Sequence, residues 1–335
     1  MTADLIEQQA EADENNANLV PLLQKVLGSC NINFLFGAGV NGGPSGAIPS
    51  FDCFSDTIAE MDNLGLPTDI GIERALQGCA DEGIRQQVLE KFVEEFNSNQ
   101  NYQLDHPSLV NLNRLLKDAH KAVSIAENRH PESKRINVFT LNYDRIVEEL
   151  LDAAGFFNYA LKKESKSFLP FDVVGYDTAK RTFIPTFAVY KLHGSVNSSR
   201  VLRAEDIVFP GQDKLGSVIS NFYETLFAMK GELLRKNAAL FVLGYSWSDE
   251  HVNDIISSAI DNGLTVVFPK YSENDELPPE LEGRVEVIPP ANPKCDTIVI
   301  ECKLYDDADG VIPPTNPKCD TTATLARLFE RAMPR

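Results

Sequence analysis

Zinc-ribbon spacing is the first thing missing from this chain. Its 335 residues hold six cysteines (Cys30, Cys53, Cys79, Cys295, Cys302 and Cys319), and no two stand closer than seven positions. Without a C-x-x-C pair, the ligand-spaced zinc modules are excluded and no metal ligand is assigned. Reduced thiols, buried or idle, are the expectation. Positive charge is also scarce: 31 Lys+Arg against 49 Asp+Glu leave a net −18. A polyanion repels phosphate backbones, which argues against direct nucleic-acid binding through the overall field. No apolar run approaches the roughly 18 residues of a spanning helix, so no membrane partner is expected. The leading segment MTADLIEQQAEADENNAN is acidic and polar, unlike a secretory signal. A cytoplasmic protein is expected.

What is present is ordinary globular material, 43% hydrophobic and 24% charged, enough for one large domain or two smaller ones. The segment Val287–Thr297 (VIPPANPKCDT) recurs as Val311–Thr321 (VIPPTNPKCDT) with one mismatch. One duplication is too little for a solenoid and reads as a local addition to a finished domain. Ahead of it the chain alternates. A short helix near Asn18–Leu27 precedes an apolar strand, Ile32–Phe36, and a Gly-rich turn. A stretch of helical periodicity follows: Ile84, Val88, Phe92, Val93 and Phe96 share one face, as do Leu109, Leu112, Leu115, Leu116 and Ala119 after Pro107. Strand patterns then return at Ile136–Thr140, Phe187–Leu192, Ala238–Leu243 and Leu264–Phe268. Helical patterns stand at Tyr143–Ala154, Asp249–Asn262 and Thr322–Arg331. This order predicts an α/β fold: a Rossmann-like, mostly parallel sheet with helices on both faces and a helical insertion after the first strand. The expected division is an acidic lead over 1–30, a nucleotide-binding domain over 31–285 with its insertion at about 52–130, and a C-terminal extension over 286–335.

Ligands of such sheets bind beyond the carboxyl ends of the strands, and four predicted strand ends carry polar motifs. Gly37-Ala38-Gly39-Val40-Asn41-Gly42 follows the first strand. Glycines there let the backbone approach a pyrophosphate with its N–H groups as donors, although the same string also serves as an ordinary tight turn. A dehydrogenase would need a second strand ending in an acid about 20 residues on, and around Asp56 and Glu60 the pattern is helical. Asn142-Tyr143-Asp144 follows the second strand. A helix cap accounts for one of these two polar residues, not comfortably for both. His193-Gly194-Ser195 and Gly244-Tyr245-Ser246-Trp247-Ser248-Asp249 follow the next two. A lone histidine is more commonly structural than catalytic, and Ser248 or Asp249 would serve as a plain cap.

In this order the motifs resemble the sirtuin superfamily. Gly37-Ala38-Gly39 with Ser45–Phe51 looks like its first NAD loop, Thr140–Asp144 its Asn-x-Asp motif, Leu192–Ser195 its catalytic histidine, and Gly244–Ser246 its later dinucleotide loop. Two departures separate this chain from the protein deacylases. No cysteine lies between Cys79 and Cys295, so their zinc module is missing, and the first loop has Ser50 and Asp52 where they carry an acid and an arginine. The spelling Asn-Tyr-Asp and Gly-Tyr-Ser-x-x-Asp is similar to the sirtuin-like NAD-hydrolysing effectors of bacterial anti-phage defence. That resemblance implies an NAD⁺ glycohydrolase releasing nicotinamide and linear or cyclic ADP-ribose. Asn142 and His193 would be catalytic. Gly37, Ala38, Gly39, Val40, Ser50, Phe51, Asp144, Gly244, Tyr245 and Ser246 would hold the dinucleotide. It also implies control by homo-oligomer assembly or by a partner in trans, a helicase-type ring ATPase first and an Argonaute-like protein second. The competing class is a sensor or scaffold that binds NAD⁺ or ADP-ribose without turnover.

Overall fold

The computed structural model describes residues 19–41, 48, 54–69, 71–126, 129, 131–156, 158–162, 172–174, 186–208, 214–270, 276–288 and 321–333. Ser50, Phe51 and most of the duplicated segment therefore lie outside the described residues. Helix α1 spans 19–29 and leads into β1 (Asn31–Phe36). Four helices stand between β1 and β2 (Ile136–Thr140): α2 (Ser55–Asn63), α3 (Ile72–Gly78), α4 (Glu82–Ser98) and α5 (Pro107–Ile125). These are the helical insertion. Then come α6 (Ile146–Ala153), β3 (Asn158–Lys162), β4 (Asp172–Val174), β5 (Phe187–Lys191), α7 (Lys214–Leu233), β6 (Ala238–Leu243), α8 (Glu250–Asp261), β7 (Thr265–Pro269), β8 (Glu286–Ile288) and α9 (Thr321–Ala332).

The strands form one sheet in the order β4-β3-β5-β2-β1-β6-β7-β8. Every pairing is parallel except β3 with β4. The fold is thus Rossmann-like α/β. From β1 the chain fills one side of the sheet through β2 and β5, then crosses to β6 on the other side. The chain after β1 goes on to helices on one face of the sheet and the chain after β6 to α8 on the other, the arrangement in which ligands bind in a crevice at the carboxyl ends of the strands.

Strands β2, β5 and β6 are buried at every position, as expected where both faces are covered and apolar residues run almost without interruption. Along β1 the side chains alternate. Ile32, Phe34 and Phe36 join α4, α5 and α9 in one core, whereas Leu35 joins α7 and α8 on the opposite face. Helix α9 is a full member of the first core. Phe329 is fully buried, with its ring 5.0 Å from Phe241 and 6.5 Å from Phe34. The C-terminal region was expected to decorate a finished domain; its helix instead fills the core of that domain.

Helix α7 and strands β3, β4 and β8 have no counterpart in the sequence reading. The other difference falls at the site. The pattern from Tyr143 predicted a helix starting there, but α6 begins at Ile146. Asp144 Oδ1 accepts from the Ile146 amide at 2.9 Å, and Lys191 Nζ donates to the carbonyl oxygens of Asn142 and Asp144. Those carbonyls are thereby held outside the helical ladder.

Candidate active site

Four loops at the carboxyl ends of the adjacent strands β5, β2, β1 and β6 meet in the crevice. The β1 and β6 loops touch through bare backbone. The Gly37 amide donates to Leu243 O and the Gly39 amide to Gly244 O, both at 3.0 Å. Gly244 has φ +62°, and a Cβ there would run into the amide of Val40. A Cβ on Gly37 would strike the Gly244 carbonyl, and one on Gly39 would lie 2.9 Å from Gly244 Cα. The glycines are required because two main chains must pass in contact. This also corrects the expectation of available phosphate donors. The N–H groups of Gly37 and Gly39 bond to the β6 loop, and that of Val40 bonds to Gly37 O at 3.1 Å. Ala38 begins a short 3₁₀ turn, Ala38–Asn41, and the Val40 side chain lies in the core.

The β2 loop carries Asn142 and Asp144, both buried. Asn142 Nδ2 donates to Gly37 O at 3.2 Å, and its own amide donates to Thr140 Oγ1 at 3.1 Å. Asp144 lies one residue before the N-cap, Arg145; its Oδ1 accepts from the first amide of α6, and its Oδ2 accepts from Asn41 Nδ2 at 3.0 Å. That bond to the helix start accounts for Asp144 and leaves Asn142 as the residue without a helical explanation. Beneath them sits Lys191, 1% exposed, in an ion pair of 3.3 Å with buried Glu148. At the flank, burial and then the negative charges of Asp144 and Glu149 push the Tyr102 phenol up, and it stays protonated. Arg200 covers the Tyr102 ring at 4.3 Å.

His193, 4% exposed, follows β5. Its Nε2 lies 3.2 Å from Nε2 of His251 in the first turn of α8, so one imidazole donates and the other accepts. Gly194 at φ +97° lets the chain run against Asp206 and Ile207, and Ser195 Oγ donates to Tyr143 O at 3.3 Å. The β6 loop ends at Asp249, the residue before α8, whose side chain does not bond the helix amides. Tyr245 turns into the second core, where its hydroxyl lies 3.0 Å from Asn253 Oδ1. Only its backbone faces the β1 loop. Ser246 Oγ is exposed and donates to Ser248 Oγ at 3.0 Å.

The sequence reading missed Asn41, Lys191 and His251, and it took Asp249 as a cap and as part of the Gly-Tyr-Ser-x-x-Asp motif, not as a partner of His193. Two of them left a signal. Lys191 is a charge at the end of an otherwise apolar strand, FAVYK, and Asn41 is the one polar side chain in the run Gly37–Gly43. His251 left none, because its proximity to His193 arises across 58 residues.

A family model for the SIR2-like domain matches residues 136–279, which span β2, β5, β6, β7 and three of the four site loops. Over that stretch the chain is similar to this family. A solved structure titled "Structural Basis for the Mechanism and Regulation of Sir2 Enzymes" aligns at 10% identity and a TM-score of 0.44, covering 95% of this chain and 97% of that one. A likeness at that level bears on neither activity nor site. No curated protein sequence matches the chain.

Proposed function

We propose that the protein hydrolyses NAD⁺ at the nicotinamide–ribose bond, with Asn142 and His193 as its catalytic residues. The observation that carries the reading is the burial of both polar side chains just past the carboxyl ends of the paired strands β2 and β5, with Asn142 bonded to the glycine crossing of the β1 and β6 loops. The SIR2-like match over 136–279 supports it.

Nicotinamide leaves a cationic glycoside as a neutral molecule, so its departure needs no general acid. The C1′–N bond breaks with its electron pair passing to the pyridinium nitrogen. Water oxygen bonds to C1′, and its proton goes to His193 and then to solvent, a role suited to an imidazole near neutral pH. Asn142, tied to Gly37 O through Nδ2, presents its Oδ1 to the ribose or the attacking water. Asp144 has a second lone pair on each oxygen for the carboxamide N–H groups. Gly37, Ala38, Gly39 and Val40 would line the pyrophosphate by close backbone approach rather than through the Gly37, Gly39 and Val40 amides, which are already bonded, and Gly244 with Tyr245 and Ser246 would lie by the adenosine ribose. Ser50 and Phe51 belong to the same proposed loop.

A cytoplasmic enzyme that destroys NAD⁺ must be held off until needed. The reading therefore extends to an abortive-infection effector of anti-phage defence, switched on by self-assembly or by a partner such as a ring ATPase.

Nicotinamide release from NAD⁺ by purified protein, read by chromatography, tests the activity. Asn142→Ala and His193→Ala should each cut the rate by ~10²–10⁴-fold with an unchanged circular-dichroism spectrum. Near-wild-type turnover by His193→Ala would sink the mechanism. Tight ADP-ribose binding with no turnover, even alongside the product of a neighbouring gene, would establish the sensor instead.

A further inference from the structure

We propose that His193, His251 and Asp249 form a three-donor site for a zinc-class divalent cation, and that filling it switches off the NAD⁺ hydrolysis proposed above. The second half rests on that reading of His193; the binding site itself does not.

The donor atoms of these three residues all lie within 4.8 Å of one another. They come from separate places in the fold: His193 from the end of β5, Asp249 from the last residue before α8, and His251 from the first turn of α8. His193 and Asp249 are buried, and His251 is half-buried. Ligands on a tetrahedral zinc ion at ~2.0–2.1 Å stand about 3.3–3.4 Å apart. The two Nε2 atoms are 3.2 Å apart. A cation can therefore replace the shared proton without separating the two nitrogens, each ring turning by about 35° so that its lone pair meets a tetrahedral ion off the N–N line, and the Asp249 carboxylate closes the third position by a side-chain rotation. Helix α8 directs its positive end at the site, a repulsion worth only a few-fold in affinity. Asp249 itself and Glu250 in the first turn oppose it.

The donor chemistry selects the cation. Two imidazoles and one carboxylate suit zinc, cobalt, nickel or copper, whereas magnesium and calcium prefer a shell of oxygens. Occupancy would block the base by simple accounting of lone pairs. A neutral imidazole bound to metal through Nε2 carries its proton on Nδ1 and has no lone pair left for the proton of water.

Calorimetric titration of chelator-stripped protein with zinc chloride tests the site, with the visible absorption of added cobalt(II) as a second readout of tetrahedral N/O coordination. One equivalent should bind. His251→Ala and Asp249→Asn, each checked for an intact thermal melt without metal, should weaken binding by about tenfold or more, no less than the loss of an outer-shell partner. If one of the two fails to fold, the other decides. NAD⁺ hydrolysis should fall with the same midpoint as zinc binding and return when chelator is added. The site is overturned by the absence of saturable binding, or by binding that neither substitution weakens, which would place zinc on cysteines or the acidic surface. Full activity at saturating zinc, or activity lost on chelation and restored by zinc, overturns the switch. Should the protein not hydrolyse NAD⁺ at all, calorimetry and the cobalt spectrum still judge the site alone.

Discussion

At Gly244 two loops cross with no space for a single methyl group. Gly244→Ala would place a side chain at φ +62° against the Val40 amide. Left-handed backbone at a non-glycine residue costs about 1–3 kcal/mol before any clash is counted. We expect a loss of stability of that order or more, measured by urea unfolding, together with loss of nicotinamide release as the β1 loop shifts. Gly231→Ala is the control. This helical glycine of α7 has nothing within 4 Å of its would-be Cβ, and alanine should stabilise by about 0.5–1 kcal/mol. Lys191 poses a different case. Removing it leaves the buried Glu148 carboxylate uncompensated, so Lys191→Met should destabilise by about 3–5 kcal/mol. Adding Glu148→Leu removes the stranded charge and should restore much of that stability. Activity should not return in the double variant, because the Asn142 and Asp144 carbonyls still lack the ammonium that sets the loop. A double variant as active as wild type would show that the loop holds its shape unaided.

Among the elements, α9 and α5 carry the most readable consequences. Leu325 and Phe329 of α9 are fully buried against the sheet and α5, and Phe329→Ala should cost about 3–5 kcal/mol. A change below 1 kcal/mol in the chemical denaturation midpoint, converted at constant slope, would mean that α9 does not seal the core. On α5, His120 packs against Phe156 with ring centroids 4.6 Å apart and the rings tilted by 53°, and burial pulls its pKa below the usual 6.5. The folded protein therefore binds this proton less readily than the unfolded chain. The stability this provides is complete above pH 6.5 and is lost as pH falls through the depressed pKa. His120→Phe should flatten that part of the stability profile between pH 7.5 and 5. An unaltered slope in the variant would assign the pH dependence to other groups.

For the whole molecule, the proposed control by assembly is directly measurable. Among the described residues no helix is long and apolar enough to cross a membrane, and the net charge of −18 makes association with another protein more favourable than with a nucleic acid. Light scattering should detect an oligomer, alone or with the neighbouring gene's product, and nicotinamide release should rise with its population. A strict monomer, fully active on its own at cellular concentration, would remove assembly from the account.

The sequence by itself was enough for the α/β class, for the strands that hold the site and for the helical block after β1. Those features come from local patterns: apolar runs of strand length, 3.6-residue periodicity, and polar motifs directly after the runs. It also marked Asn142, His193 and the glycines as unusual for their places. The tertiary structure decided what each does. Gly37 and Gly39 serve a backbone crossing with Gly244 that spans more than 200 positions, and their amides are used in making it. The start of α6 was set by Lys191, which lies 45 residues beyond the helix's first residue and draws two carbonyls out of the ladder. The pairing of His193 with His251 arises because β5 ends and α8 begins at the same edge of one sheet. Period and propensity act over a few residues. Which loops share a crevice depends on strand order, and strand order is settled only when the whole sheet buries both of its faces.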